Sequence, residues 1–182
     1  MNRRLWMIFC FAATLFGCGH HQPWRVVTET APDPFVNQTL FALAHLTCNG
    51  GLVDGTPCHD QSGPAEMLVL NAGFAMGLMN AASDAGIRVV PANGPASAPF
   101  TIVPRVSLLE RPEDPLLLGN LAKGKIEMYV AIRAPTGQVL DEIFLNVSLK
   151  VGVGHDVRYS AGGEALGKQA AMYVKSRVVQ GP

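Results

Sequence analysis

The 182-residue chain carries 14 basic and 14 acidic residues, a formal net charge of zero, with 48% hydrophobic and only 15% charged residues. This balance excludes the basic field that nucleic-acid binding requires and the apolar-poor, charge-rich composition of a disordered chain. The length fits one domain with a real core, and so few charges predict apolar surface patches that meet another protein or a membrane.

Arg3 and Arg4 precede "LWMIFCFAATLFG", thirteen uncharged residues from Leu5 to Gly17. That run is too short to span a bilayer and the right size for a signal-peptide core, so residues 1–17 read as a targeting segment. "LFGC", residues 15–18, resembles the lipobox of bacterial lipoproteins, in which a small residue precedes a cysteine that receives the lipid. The resemblance implies that Cys18 becomes the palmitoylated first residue and that residues 18–23 form a tether. In such lipoproteins an aspartate after the cysteine commonly means inner-membrane retention. Gly19 stands there, which implies anchorage in the outer membrane, facing the periplasm. An ordinary secretory signal or an uncleaved anchor is the plainer alternative. Removing residues 1–17 takes away Arg3 and Arg4 and leaves 12 basic against 14 acidic residues, a formal charge of −2.

Residues 24–182 read as a single α+β domain. Trp24, Val26 and Thr28 alternate with Arg25, Val27 and Glu29, predicting a strand over 24–30. In 31–46, Asp33 as a cap, Pro34 in the first turn and Val36, Leu40, Leu43 and Ala44 on one face predict a helix. With Cys10 removed and Cys18 acylated, Cys48 and Cys58 remain for an oxidising compartment. The intervening "CNGGLVDGTPC" is rich in turn formers, so a disulfide closing a hairpin-like loop is expected, at about 2–3 kcal/mol of stabilisation. A redox-active pair would be closer in sequence. His45, His59 and Asp60 beside the cysteines could be drawn as a metal site, but the thiolates would have to escape oxidation, and the histidines His20 and His21 sit in the tether. No metal or cofactor is expected.

From Pro64 a longer helix carries Met67, Leu70, Phe74, Leu78 and Ala81 at helical spacing and ends near Gly86. Gly73 and Gly77 notch it, which predicts close packing on a sheet, and Met67, Met76 and Met79 read as core filler. "IRVVP", 87–91, is a short strand. In "FTIVPRVSLLE", Phe100, Ile102, Val106 and Leu108 share a face, and Pro104 suggests an edge or a bulge. "KIEMYVAIR" and "VLDEIFLNVSLKV" alternate cleanly, with Ile126, Met128, Val130 and Ile132, then Ile143, Leu145, Val147, Leu149 and Val151 inward, and the turn at 135–137 makes them an antiparallel hairpin. A glycine-bearing turn, "VGVGHDVRYSAGG", precedes a last helix with Leu166, Ala170, Tyr173, Val174 and Val178 on one side and Lys168, Lys175 and Arg177 elsewhere. These elements predict a two-layer sandwich, a mainly antiparallel sheet packed by two or three helices.

Catalytic groups are present as they are in any protein: Ser160, His155, Asp156, His59 and Asp60. No motif brings them together, "GVGHD" is not a phosphate-binding loop, and no G-x-S-x-G elbow occurs, so no enzymatic activity is expected. The element order over about residues 64–179, with "PTGQVLDE" in the hairpin and "GGEALGKQAAMYVKSRV" at the end, is similar to small envelope lipoproteins. These include lipoproteins of lipopolysaccharide export, of lipid-transport complexes and of the curli secretion system. The likeness is architectural and transfers no functional residue. It implies a lipid-anchored periplasmic structural or assembly component of an outer-membrane complex. The alternative is a periplasmic module binding a lipid or small ligand. The expected partners are the membrane through the anchor and an envelope protein complex, with homo-oligomerisation open and nucleic acid excluded.

Overall fold

The computed structural model describes residues 23–58, 65–94, 98–112, 124–149 and 154–179. The expected signal segment 1–17, the expected lipidation site Cys18, the expected tether as far as residue 22 with His20 and His21, the site candidates His59 and Asp60, and Lys150 and Val151 lie outside the described residues. Ten elements follow in the order β1 (Trp24–Thr28), β2 (Leu40–Leu43), β3 (Leu52–Val53), β4 (Thr56–Pro57), α1 (Ala65–Ser83), β5 (Arg88–Pro91), β6 (Thr101–Glu110), β7 (Lys125–Arg133), β8 (Val139–Ser148) and α2 (His155–Val179). The strands form one mixed, mostly antiparallel eight-stranded sheet with the path β1-β8-β7-β6-β2-β5, and β3 and β4 branch from β6. Both helices cover the same face, so the fold is the expected two-layer α+β sandwich with two helices.

The alternation in β7 and β8 sends Ile126, Met128, Val130, Ile132, Ile143 and Leu145 into the core, where they meet Leu70, Phe74, Leu78, Leu166 and Ala170 of the helices. Gly137, at φ 84°, closes the hairpin between them, its N–H donating to Ala134 O at 2.9 Å. α1 ends as predicted. Gly86, at φ 73°, adopts a left-handed conformation that a side chain would disfavour, the Ile87 N–H returns to Ala82 O and the Gly86 N–H to Ser83 O. Buried Ile87 then starts the next strand.

Residues 31–46 do not form a helix. Asp33 caps nothing helical; its Oδ1 accepts the Phe35 N–H at 2.8 Å in a local turn, and β2 follows instead, parallel to both β5 and β6. Tertiary pairing has overridden the helical pattern, because Phe41 and Ala42 fill the slot between two strands, and buried Phe35 packs edge-on against Phe100 at 5.0 Å.

Pro104 lies in the middle of the sheet, not at an edge. The chain after β2 runs beside β6, with Ala44 N–H on Ile102 O, Thr47 N–H on Pro104 O and Val106 N–H on Thr47 O. The rung that would need a donor at position 104 falls where residues 44–47 step away, so the missing N–H costs no paired bond. A bulge does occur, between Val106 and Leu108, and it turns Leu109 inward in place of the expected Leu108.

Two glycine expectations are also corrected. Gly73 and Gly77 pack on α2 and not on the sheet: a Cβ at either would strike the carbonyl oxygen of Ser160 or Glu164. Reciprocally, Gly163 and Gly167 press on the backbone of α1, leaving a Cβ at Gly163 2.8 Å from Phe74 N and one at Gly167 2.6 Å from Leu78 N. Residues 155–163, expected as a turn, are therefore helical, since their glycines serve a backbone-to-backbone seam. Gly162 faces the sheet, close to Leu149 and Ile126.

Candidate functional site

The first strand opens at Trp24, whose ring stands edge-on to Tyr173 of α2 at 5.9 Å. Just beyond, a buried polar clasp joins the two ends of the described chain. Asp141 lies on β8 in phase with Ile143 and Leu145, so its carboxylate points inward and is fully buried. Its Oδ1 accepts the Thr30 N–H at 2.8 Å, and its Oδ2 accepts the Tyr173 hydroxyl at 2.6 Å and Arg177 Nε at 2.8 Å. The Arg177 guanidinium also donates to Thr30 O, pairs with Glu29 and lies 3.0 Å from Asp33 Oδ2, and it stacks over Phe35. Arg177, expected off the apolar side of the last helix, is 5% exposed.

Burial and the bond to Asp141 together push the Tyr173 phenol far above its usual range. Burial alone would lower the Arg177 pKa, but the hydrogen bond and charge of Asp141, with Asp33 behind them, hold it above its ordinary value. With three donors and no exposure, Asp141 is a structural carboxylate with no access to a substrate.

A second cluster fixes the disulfide hairpin. Cys48 and Cys58 are joined, with Cα atoms 5.8 Å apart, and β3 and β4 form the expected hairpin around Asp54 and Gly55 at positive φ. Arg111 N donates to Asp54 Oδ1 at 2.8 Å, its guanidinium pairs with Asp54, and its Nε donates to Glu66 of α1 at 2.8 Å. That bond to Glu66, more than any other influence, raises the Arg111 pKa.

Between α1 and β2 runs an open groove of about 300 Å³ lined by Leu43, Ala44, His45, Asn71, Ala75 and Met79. Asn71 spans it, its Oδ1 accepting Leu46 N–H at 3.0 Å and its amide 3.3 Å from His45 Nδ1. On the opposite sheet face a row of directly paired residues crosses four strands: Arg25, Phe144, Tyr129 and Arg105. The rings meet at 5.3 Å, with Arg25 4.8 Å over Phe144 and Arg105 5.2 Å over Tyr129.

Of the catalytic candidates, Asp156 and Ser160 lie one turn apart on α2, and Ser160 turns its backbone toward Gly73. Among the described residues no three His, Cys, Asp or Glu side chains converge on a common point. The clasp was missed in the sequence although its signal is there: Asp141 occupies an inward position of an alternating strand, and a buried carboxylate demands a cation and donors.

No family model matches the chain, and no curated protein matches it. Among solved structures it is similar to a PelC dodecamer from Paraburkholderia phytofirmans, at 11% identity and a TM-score of 0.49, over 80% of this chain and 96% of that one. It is also similar to a DUF330 protein from Xanthomonas campestris, at 17% identity and a TM-score of 0.45, over 85% and 91% of the two chains. Likenesses this distant say nothing about what the chain does.

Proposed function

We propose that the chain is a lipid-anchored, non-enzymatic component of an envelope complex, held in the outer membrane through Cys18 and facing the periplasm. The observation that carries this reading is "LFGC" at 15–18, placed only six residues before the first strand of the domain. The domain supports it by what its polar groups do: Asp141, Arg177, Glu66 and Arg111 are occupied in holding elements together. The anchor raises the effective concentration of the domain near other membrane-bound proteins, so weak contacts suffice for assembly.

The test is Cys18→Ser. Metabolic palmitate labelling and membrane fractionation should both lose the protein from the lipid-modified, membrane-bound pool, and detergent extraction of the wild type should bring a partner with it. Unchanged labelling and membrane association in the variant would sink the assignment.

The alternative, a module binding a lipid or small ligand, draws on the groove at His45 and Asn71. Native mass spectrometry showing a retained small molecule, lost in Asn71→Leu, would favour it.

A further inference from the structure

Residues 67–83 of α1 contain no charged side chain, yet the helix is only half covered. Leu70, Gly73, Phe74, Gly77 and Leu78 are buried against α2 and the sheet, so α1 cannot cross a bilayer although it is long and apolar enough to do so. On its outer face Leu68, Ala72, Met76 and Met79 follow one another at i, i+4, i+8 and i+11, within one narrow stripe, and Leu68, Met76 and Met79 are 60%, 46% and 40% exposed. The two methionines expected in the core are therefore on the surface.

The neighbouring helix carries a stripe of its own: Lys168, Met172, Lys175 and Val179 of α2, at i, i+4, i+7 and i+11, are exposed, with Met172 half exposed between two lysines. Lys168 pairs with Glu164 one turn earlier. Apolar side chains flanked by lysines whose long stems can reach outward are the chemistry of a helix lying in a phospholipid interface.

The expected tether sets which end of the domain lies near the membrane. The described chain begins beside Trp24, and Trp24 packs on Tyr173, next to Met172 on the same helix. Residues 18–23 reach at most about 20 Å when fully extended. A lipid on Cys18 thus holds the Trp24 corner, and with it the adjoining end of α2, within that distance of the leaflet, and the exposed apolar stripes single out the helix layer among the faces that meet there. The β5 edge gives a second copy little to pair with: Val89 offers an outward N–H, but Pro91, two residues on and on the same side, has none.

We propose that the outer face of α1 and the adjoining stripe of α2 lie on the phospholipid surface that holds the anchor, giving the domain a second, reversible membrane contact and a fixed orientation. The orientation rests on the lipid-anchor reading, but the contact itself is testable without acylation. The mature chain from residue 18, made unacylated, is sedimented with phosphatidylethanolamine vesicles containing phosphatidylglycerol. It should bind, and Leu68→Ser/Met76→Ser/Met79→Ser should weaken partitioning on the order of tenfold, with an unchanged circular dichroism spectrum because all three positions are exposed. Met76→Trp should be quenched by brominated phospholipid. The proposal is overturned by absence of vesicle binding, by equal binding of the triple serine variant, or by a dimer that the triple variant dissolves. Loss of palmitate labelling has no bearing on these readouts, so failure of the anchor and failure of the contact are told apart.

Discussion

The seam between α1 and α2 and the clasp at the far end of α2 hold the same helix by opposite means. At the seam Gly73, Gly77, Gly163 and Gly167 remove side chains so that two backbones touch, and no polar side chain is needed. At the clasp Asp141, Arg177, Tyr173 and Thr30 bring charges into the interior, where each is tolerable only because the others are present. Shape alone fixes where the first contact lies, and a shift of one residue would produce a collision. The second fixes which chemical groups meet, and its failure would be electrostatic.

The comparison can be broken most severely at the clasp. Arg177→Met leaves the fully buried Asp141 facing Glu29 and Asp33 without their cation, and should cost about 3–5 kcal/mol by urea titration. Adding Asp141→Asn removes the stranded charge and should recover part of that loss. At the seam Gly77→Ala forces the helices apart against backbone atoms, and about 1–3 kcal/mol is expected, with no recovery from any change of charge.

A pH series separates the two regions further. The Tyr173 pKa is raised on folding, so the folded state keeps a proton that the unfolded chain gives up near pH 10. The stability this provides is present below pH 10 and declines as pH rises above it. Melting temperatures between pH 9 and 11 should fall more steeply for the wild type and Gly77→Ala than for Tyr173→Phe. The smallest effect is a coupling: Gly77 contacts Glu164, thirteen residues and about 20 Å of helix before Arg177, so the two substitutions should add to within about 0.5 kcal/mol.

The legible parts of the fold were those set by local pattern. The hairpin of β7 and β8 shows as alternation, the Cys48–Cys58 loop as turn chemistry, and the end of α1 as Gly86. What could not be read depended on partners distant in sequence. Leu40 to Ala44 have a helical spacing, but two strands more than forty residues downstream claim them. The glycines before residue 164 look like a turn until Gly73 and Gly77 are placed against them. The surface methionines failed for a related reason: composition says that α1 is apolar, but only the second helix and the sheet decide which side is covered. Of the candidate site, the lipobox-like "LFGC" is visible in the sequence alone, whereas the clasp needed Asp141 to be read as an inward position and then matched with Arg177 on the last helix.

The clasp also imposes an order on events. Thr30 is joined to Leu140 and Asp141, and to Arg177, at separations of 110, 111 and 147 residues. A ribosome delivers the amino-terminal strand first, and nothing in its neighbourhood can hold it until β8 and α2 have been made. The first strand is consequently the last to settle, and the seal between the two ends of the described chain closes only when both have been made.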